Sequence, residues 1–349
     1  MRRAVVIVPG LLETRTGGYE YDRRIVEGLR HEGWWVDVRE LDGRFPRPTP
    51  ADRQNAARVL SGLPSRSVVV VDGLALGALP DEIEREASRL RFVALVHHPL
   101  ALETGIDRLL QEQLRATERR ALAAVRRVVV TGHGTAKALD DYGVPPHRIA
   151  VIEPGTDPAP LARGSGGDTV HMICVASLVP RKGHELLLRA LAAVPHRNWR
   201  LRCVGGNRDA ELSWKLREIQ RELSLTDHVE FEGESDASAV ASRYHTADLF
   251  VLATWYEGYG MAVAEALARG LPIVSTRTGA IPEIVPDHAG LLVEPGDLPA
   301  LTAALTDVLG NPSLRARLAE GARNARARLP TWPMAAVKLT RVLESVAHG

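Results

Sequence analysis

A chain of 349 residues, 45% apolar and 25% charged, is globular and longer than a single hydrophobic core usually serves, so two domains of ordinary size are expected. Its net charge of +1 argues against a polyanion-binding surface and so against nucleic acid as a partner. No run of about eighteen apolar residues occurs, and the apolar stretch at 4–8 is too short for a signal peptide; a cytoplasmic protein is expected, with peripheral membrane contact left open.

Short Val/Ile/Leu runs at 4–8, 36–40, 68–72, 92–97, 128–131 and 149–152 predict strands, with helices between them near 18–32, 50–62, 81–90, 106–125 and 134–142. Near-continuous apolar strands alternating with helices mean a parallel sheet covered on both faces, hence a Rossmann-like domain over residues 1–160. The stretch 153–168 is poor in apolar residues and rich in Pro and Gly, which marks a linker. Beyond it strands are predicted at 170–176, 200–204, 229–232, 249–253, 273–276 and 291–294, so a second doubly wound domain covers 161–333. Two tail helices, 314–328 and 334–347, are separated by Pro330 and Pro333, and the segment 334–349 is expected to pack back on the first domain.

A ligand shared by two such domains belongs in the crevice at the carboxyl ends of their strands. After strand one, Gly17 and Gly18 open a helix where backbone can approach a phosphate. This is not the GxGxxG of a dinucleotide fold, so a nicotinamide-dependent oxidoreductase loses support. Strand four ends in His97-His98-Pro99, and one imidazole there can meet a substrate hydroxyl or a developing charge. Only four lysines occur, at 137, 182, 215 and 338, and Lys182 stands beside Arg181 just before a helix, an arrangement suited to a diphosphate. Gly205 and Gly233, each closing a later strand, are further places where backbone can lie against a ligand. The densest signal is the run Glu257-Gly258-Tyr259-Gly260-Met261 through Glu265, a glycine-rich turn opening a helix with a carboxylate on either side of a potential anion site. An exposed surface helix with two incidental glutamates is the plain alternative. Cys174 and Cys203 sit in apolar strands without metal-ligand spacing and are read as buried thiols; no disulfide framework and no metal site is expected.

The order of these features resembles glycosyltransferase family 4, retaining enzymes of the GT-B fold, over essentially the whole chain. The resemblance rests on Gly17-Gly18, His97, Tyr142-Gly143-Val144-Pro145, Pro154-Gly155-Thr156-Asp157, Arg181-Lys182-Gly183, Val204-Gly205-Gly206, Phe231-Glu232-Gly233, the E-x7-E pair Glu257 and Glu265, Gly279-Ala280-Ile281-Pro282-Glu283 and Gly290-Leu291-Leu292-Val293. It implies two Rossmann-like domains facing across a crevice, a nucleoside-diphosphate-sugar substrate held mainly by the second and a hydroxyl-bearing acceptor held mainly by the first, with no cofactor or obligatory metal. Carried over, Glu257 holds hydroxyls of the sugar, Glu265 the ribose, Arg181 and Lys182 the diphosphate, Gly17 and Gly18 close on the phosphates, and His97, or His98 in its place, touches the sugar. Gly258, Tyr259, Gly260, Met261, Gly205 and Gly233 complete the donor pocket. A UDP-sugar is the expected donor, with ADP- and GDP-sugars as alternatives, since Glu232-Gly233-Glu234 lacks an aromatic that would identify the base. With Glu257 placed at the far hydroxyls, the resemblance favours retention by front-face substitution. A GT-B epimerase or phosphorylase and a non-catalytic sugar-nucleotide sensor are the competing readings.

Overall fold

A computed structural model describes residues 2–348. The chain forms two compact units, the first running through Gly155 and resuming at Pro330, the second Thr156–Leu329.

In the first unit β1 (Arg2–Pro9), β2 (Trp34–Leu41), β3 (Val68–Asp72), β4 (Arg91–Val96), β5 (Arg127–Val130) and β6 (Ile149–Val151) make one parallel sheet in the order β2-β1-β3-β4-β5-β6. The apolar residues of β3, β4 and β5 are buried, as a sheet covered on both faces requires, whereas β2 exposes Trp35, Arg39 and Glu40 at the edge. Helix Gly17–His31 buries Tyr21, Ile25, Val26 and Leu29. Against it packs the last helix, Trp332–His348, so closely that a Cβ on Gly28 would lie 2.6 Å from that of Ala336.

The second unit repeats the plan with β7 (Val170–Val175), β8 (Trp199–Val204), β9 (Val229–Gly233), β10 (Leu249–Leu252), β11 (Ile273–Thr276) and β12 (Gly290–Val293), in the order β12-β11-β10-β7-β8-β9. Every pairing is again parallel. Trp199, Tyr244 and Phe250 are among its largest fully buried side chains. The expected pair of doubly wound α/β folds is therefore present.

Local differences have local causes. The sequence pattern hides a short helix, Gly73–Leu76, because it is set by one cap: the Asp72 carboxylate accepts from the Leu74 N–H at 2.8 Å. The helix expected at 134–142 is His133–Ala138 followed by a 3-10 turn, Asp140–Tyr142, which Gly143 ends in a left-handed conformation. Helix Leu298–Gly310 precedes helix Pro312–Ala325, and the final helix begins at Trp332 with Pro333 in its first turn, where a missing N–H leaves no intrahelical bond unmade.

Strand order reverses between β1 and β3 in the first sheet and between β7 and β10 in the second. In open parallel sheets ligands bind beyond the carboxyl ends of strands at such switch points.

Candidate active site

At the switch point of the second unit two turns are fastened together. Arg181 and Lys182 lie in the 3-10 turn Pro180–Lys182 beyond β7, and Gly183 follows with φ +66°. A Cβ there would sit 1.9 Å from the Ala253 carbonyl oxygen, so only glycine lets this turn press on the end of β10. The Arg181 carbonyl accepts from the Trp255 N–H at 2.8 Å and from Thr254 Oγ1 at 3.0 Å, and Arg181 Nη1 donates to the Tyr256 carbonyl at 2.9 Å. Lys182 Nζ forms an ion pair with the Glu257 carboxylate, the two side chains being 18% and 8% exposed. Burial alone would raise the pKa of Glu257, but Lys182 and then Arg181 hold it below the usual glutamate value. Burial pushes the pKa of Lys182 down, with Arg181 adding to the effect and Glu257 opposing it. Two cations thus share one carboxylate, which leaves positive charge available to an anion.

Behind Glu257, Gly279 has φ +54° and its Cβ would meet the Glu257 carbonyl oxygen at 1.6 Å, while the Ala280 N–H donates to that oxygen at 3.3 Å. The Gly-x-x-Pro-Glu segment therefore shapes the backbone that carries Glu257. Gly258 is half-buried, and Gly260 enters helix Met261–Ala268 with φ +99° and no side-chain cap, so the first N–H groups of that helix, beginning with those of Gly260 and Met261, face the turn. Glu265 is partly exposed one turn on, with its carboxylate against Tyr244. The Tyr259 ring is buried with Ala264 and Ala280, which leaves only its backbone for a ligand. Gly205 is explained by chain packing, since its Cβ would lie 2.0 Å from the Ala176 carbonyl oxygen, and its N–H donates to the Gly233 carbonyl at 2.9 Å. Gly233 closes β9 with φ +80°.

In the first unit, β4 stops at Val96 and His97 turns into a pair of carboxylates. Its Nε2 lies 3.1 Å from Asp22 Oδ1 and 3.4 Å from Asp72 Oδ2, and the three side chains are 19%, 2% and 5% exposed. Asp22 comes from helix Gly17–His31 and Asp72 from the end of β3, so three elements meet at the β1/β3 switch point. Burial opposes a charge on His97, yet Asp22 and Asp72 outweigh it and carry the imidazole pKa well above the ordinary histidine value. Asp22 is raised by its own burial, against the pull of His97 and Arg23. Gly18 lies directly against the ring, where a Cβ would be 3.4 Å from Cδ2, and Gly17 opens the helix before it. Tyr21 meets the imidazole edge to face at 5.3 Å. His98 diverges toward Glu103, 3.3 Å away.

Sequence reasoning missed Asp22 and Asp72. The available signal was an aspartate ending the apolar run Val68–Asp72 and another one turn into the helix opened by Gly17-Gly18. Among the described residues two groups have ligand atoms close enough for a metal ion, namely Asp22, Asp72 and His97, and Cys174, His184 and Cys203. No described helix is long and apolar enough to cross a membrane.

Residues 28–160 match the family model described as Glycosyltransferase Family 4, and residues 162–325 match Glycosyl transferases group 1. The chain is 29% identical over 336 residues to an MMP alpha-(1->4)-mannosyltransferase of Mycolicibacterium hassiacum, covering 88% of this chain and 79% of that protein. It is 28% identical over 350 residues to a GDP-mannose-dependent alpha-(1-6)-phosphatidylinositol monomannoside mannosyltransferase of Mycolicibacterium smegmatis, covering 94% and 87%. The fold is similar to that of sucrose-phosphate synthase from Thermosynechococcus elongatus, with a TM-score of 0.83, 21% identity and 99% of each chain covered.

Proposed function

Since the chain belongs to glycosyltransferase family 4, we propose that this glycosyltransferase moves a hexose from a nucleoside-diphosphate sugar to a hydroxyl-bearing acceptor with retention of anomeric configuration and without a metal ion. The observation that carries this reading is the fastening of Arg181 and Lys182 onto the turn that bears Glu257 at the β7/β10 switch point. Departure of a nucleoside diphosphate develops negative charge on phosphate oxygens, and a guanidinium, an ammonium and helix N–H groups preorganised there stabilise it as it forms. Glu257, held by Lys182 before substrate arrives, is assigned to the sugar hydroxyls, and Glu265 to the ribose. The leaving diphosphate takes the acceptor proton on the face it vacates, which places no carboxylate nucleophile beneath the anomeric carbon.

Both relatives are named as mannosyltransferases and one as GDP-mannose-dependent, which makes GDP-mannose the first substrate to test, ahead of the UDP-sugar that the sequence favoured. A hydrolysis and transfer screen across GDP-, UDP- and ADP-sugars should single out one nucleotide and release its diphosphate; absence of turnover with all of them would sink the proposal. Product analysis with and without acceptor separates transfer from epimerisation or phosphorolysis. Transfer should persist in excess chelator, because cationic side chains take the place of the ion that other transferases use to hold diphosphate. Loss of activity in chelator that magnesium or manganese restores would overturn the metal-free reading.

His97, assigned to the reacting centre, works as a fixed cation in this scheme. A histidine whose folded pKa is raised keeps its charge through neutrality and loses it only as pH rises through that higher value. The charged and titratable groups around it are Asp22, Asp72, Tyr19, Tyr21 and Arg23. Asp22→Asn removes the nearer carboxylate, so the alkaline limb of kcat should move at least about one pH unit toward neutrality. An unmoved limb in a folded variant, or an unchanged His97 titration by NMR, would show that Asp22 does not hold the charge.

A further inference from the structure

One cluster in the second unit lies outside the residues assigned to the transfer reaction. Cys174 on β7 and Cys203 on β8 are partners in the parallel register, so their side chains leave the same face of the sheet one strand apart. His184, the first residue of helix His184–Ala193, reaches that face with Nε2 3.8 Å from Cys174 Sγ. The ligand atoms of the three residues lie within 4.8 Å of one another, and Cys174, Cys203 and His184 are 0%, 3% and 3% exposed.

Folding alone does not account for the histidine. Buried imidazoles ordinarily satisfy both nitrogens, yet among the described residues His184 Nδ1 has no partner and Nε2 has only a sulfur at long range. A cation bonded to sulfur at ~2.3 Å and to nitrogen at ~2.0 Å separates those two atoms by ~3.7 Å at a trigonal angle and ~3.5 Å at a tetrahedral one. The observed 3.8 Å leaves room for a cation between the two atoms, and the number of ligands then decides its geometry. Among the described residues no fourth Cys, His, Asp or Glu joins the group. Soft thiolates in low coordination select Cu(I), whereas Zn2+ takes four ligands.

We infer that Cys174, Cys203 and His184 form a three-coordinate site for Cu(I), a soft monovalent cation that staples β7 and β8 to the first turn of the following helix. Binding exchanges two S–H bonds for two S–Cu bonds and releases two protons, while the imidazole enters neutral through the Nε2 lone pair; copper delivered as Cu(I) undergoes no change of oxidation state. His184 directly follows Lys182 and Gly183, so the staple anchors the end of the turn that carries the two cations of the diphosphate site.

The test is anaerobic titration of the chelator-treated full chain with Cu(I) in competition with a chromophoric Cu(I) chelator, alongside X-ray absorption at the copper edge. One Cu(I) per chain, bound by two sulfurs and one nitrogen, is expected. Affinity should fall at least about tenfold in Cys203→Ser and in Cys174→Ala, each checked for native circular dichroism. Uptake well below one equivalent, a four-coordinate spectrum, a firmer hold on Zn2+ than on Cu(I), or undiminished affinity in a folded Cys203→Ser chain overturns the site. Should neither variant fold, the stoichiometry and spectrum of the unsubstituted chain decide the matter alone.

Discussion

Lys182→Ala should lower turnover at least about a hundredfold, roughly 2.7 kcal/mol of lost transition-state stabilisation, the scale seen when one preorganised group is withdrawn from developing charge. The ammonium is mostly buried and held in place by Glu257, and the turn that carries it is fastened through three hydrogen bonds between residues 181 and 254–256. It therefore needs little reorganisation when the diphosphate begins to leave. The same substitution strands Glu257, which is 8% exposed, without its ion-pair partner, and a carboxylate left in that position is destabilising on its own account. The double variant Lys182→Met with Glu257→Gln separates the two effects: it should recover thermal stability relative to Lys182→Ala while remaining inactive. Near-normal turnover in a folded Lys182→Ala enzyme would remove Lys182 from the site.

Glu257→Gln is expected to lower kcat at least as severely as it would if any other sugar-orienting contact were lost, while affinity for the free nucleoside diphosphate stays nearly unchanged. In the structure Glu257 pairs with Lys182, and on the assignments proposed above this carboxylate meets the sugar hydroxyls while the lysine meets the phosphate. Misplacement of the sugar is felt at the reacting carbon, hence in turnover. Glu265 stands at the start of the second turn of helix Met261–Ala268, partly exposed and against Tyr244, and its assigned contact is with a ribose that does not react. Glu265→Gln should accordingly weaken both the sugar nucleotide and the free diphosphate. Calorimetric titration of both variants, set beside their steady-state rates, measures the division. Equal loss of diphosphate affinity in the two would mean that the carboxylates do not have separate tasks.

How much of this was legible before folding follows from the range over which each signal acts. The strands were readable because buried parallel strands are apolar throughout, and the Gly-rich turns because a backbone that presses on Ala253 or on Glu257 tolerates nothing larger than glycine. Lys182 and Glu257 were both named from local motifs, yet their ion pair was not, since 75 residues separate them. Asp22 and Asp72 escaped for the same reason: neither lies in a motif, and only the β1/β3 switch point brings them onto His97. Cys174 and Cys203 looked unpaired because spacing along the chain says nothing about register between neighbouring strands. Tyr259 shows the converse limit, where a residue inside a binding motif turns its ring into the packing instead.

The last helix has a consequence for biosynthesis. Its residues from Pro330 onward belong to the same compact unit as the N-terminal sheet, while the other unit is one uninterrupted stretch between them. As the chain leaves the ribosome, Thr156–Leu329 can complete its own core at once, but the face of helix Gly17–His31 that receives Ala336 stays uncovered until helix Trp332–His348 has been made. The unit begun before the other is thus finished after it, and a nascent chain stalled short of residue 330 carries an open apolar surface for chaperones to shield.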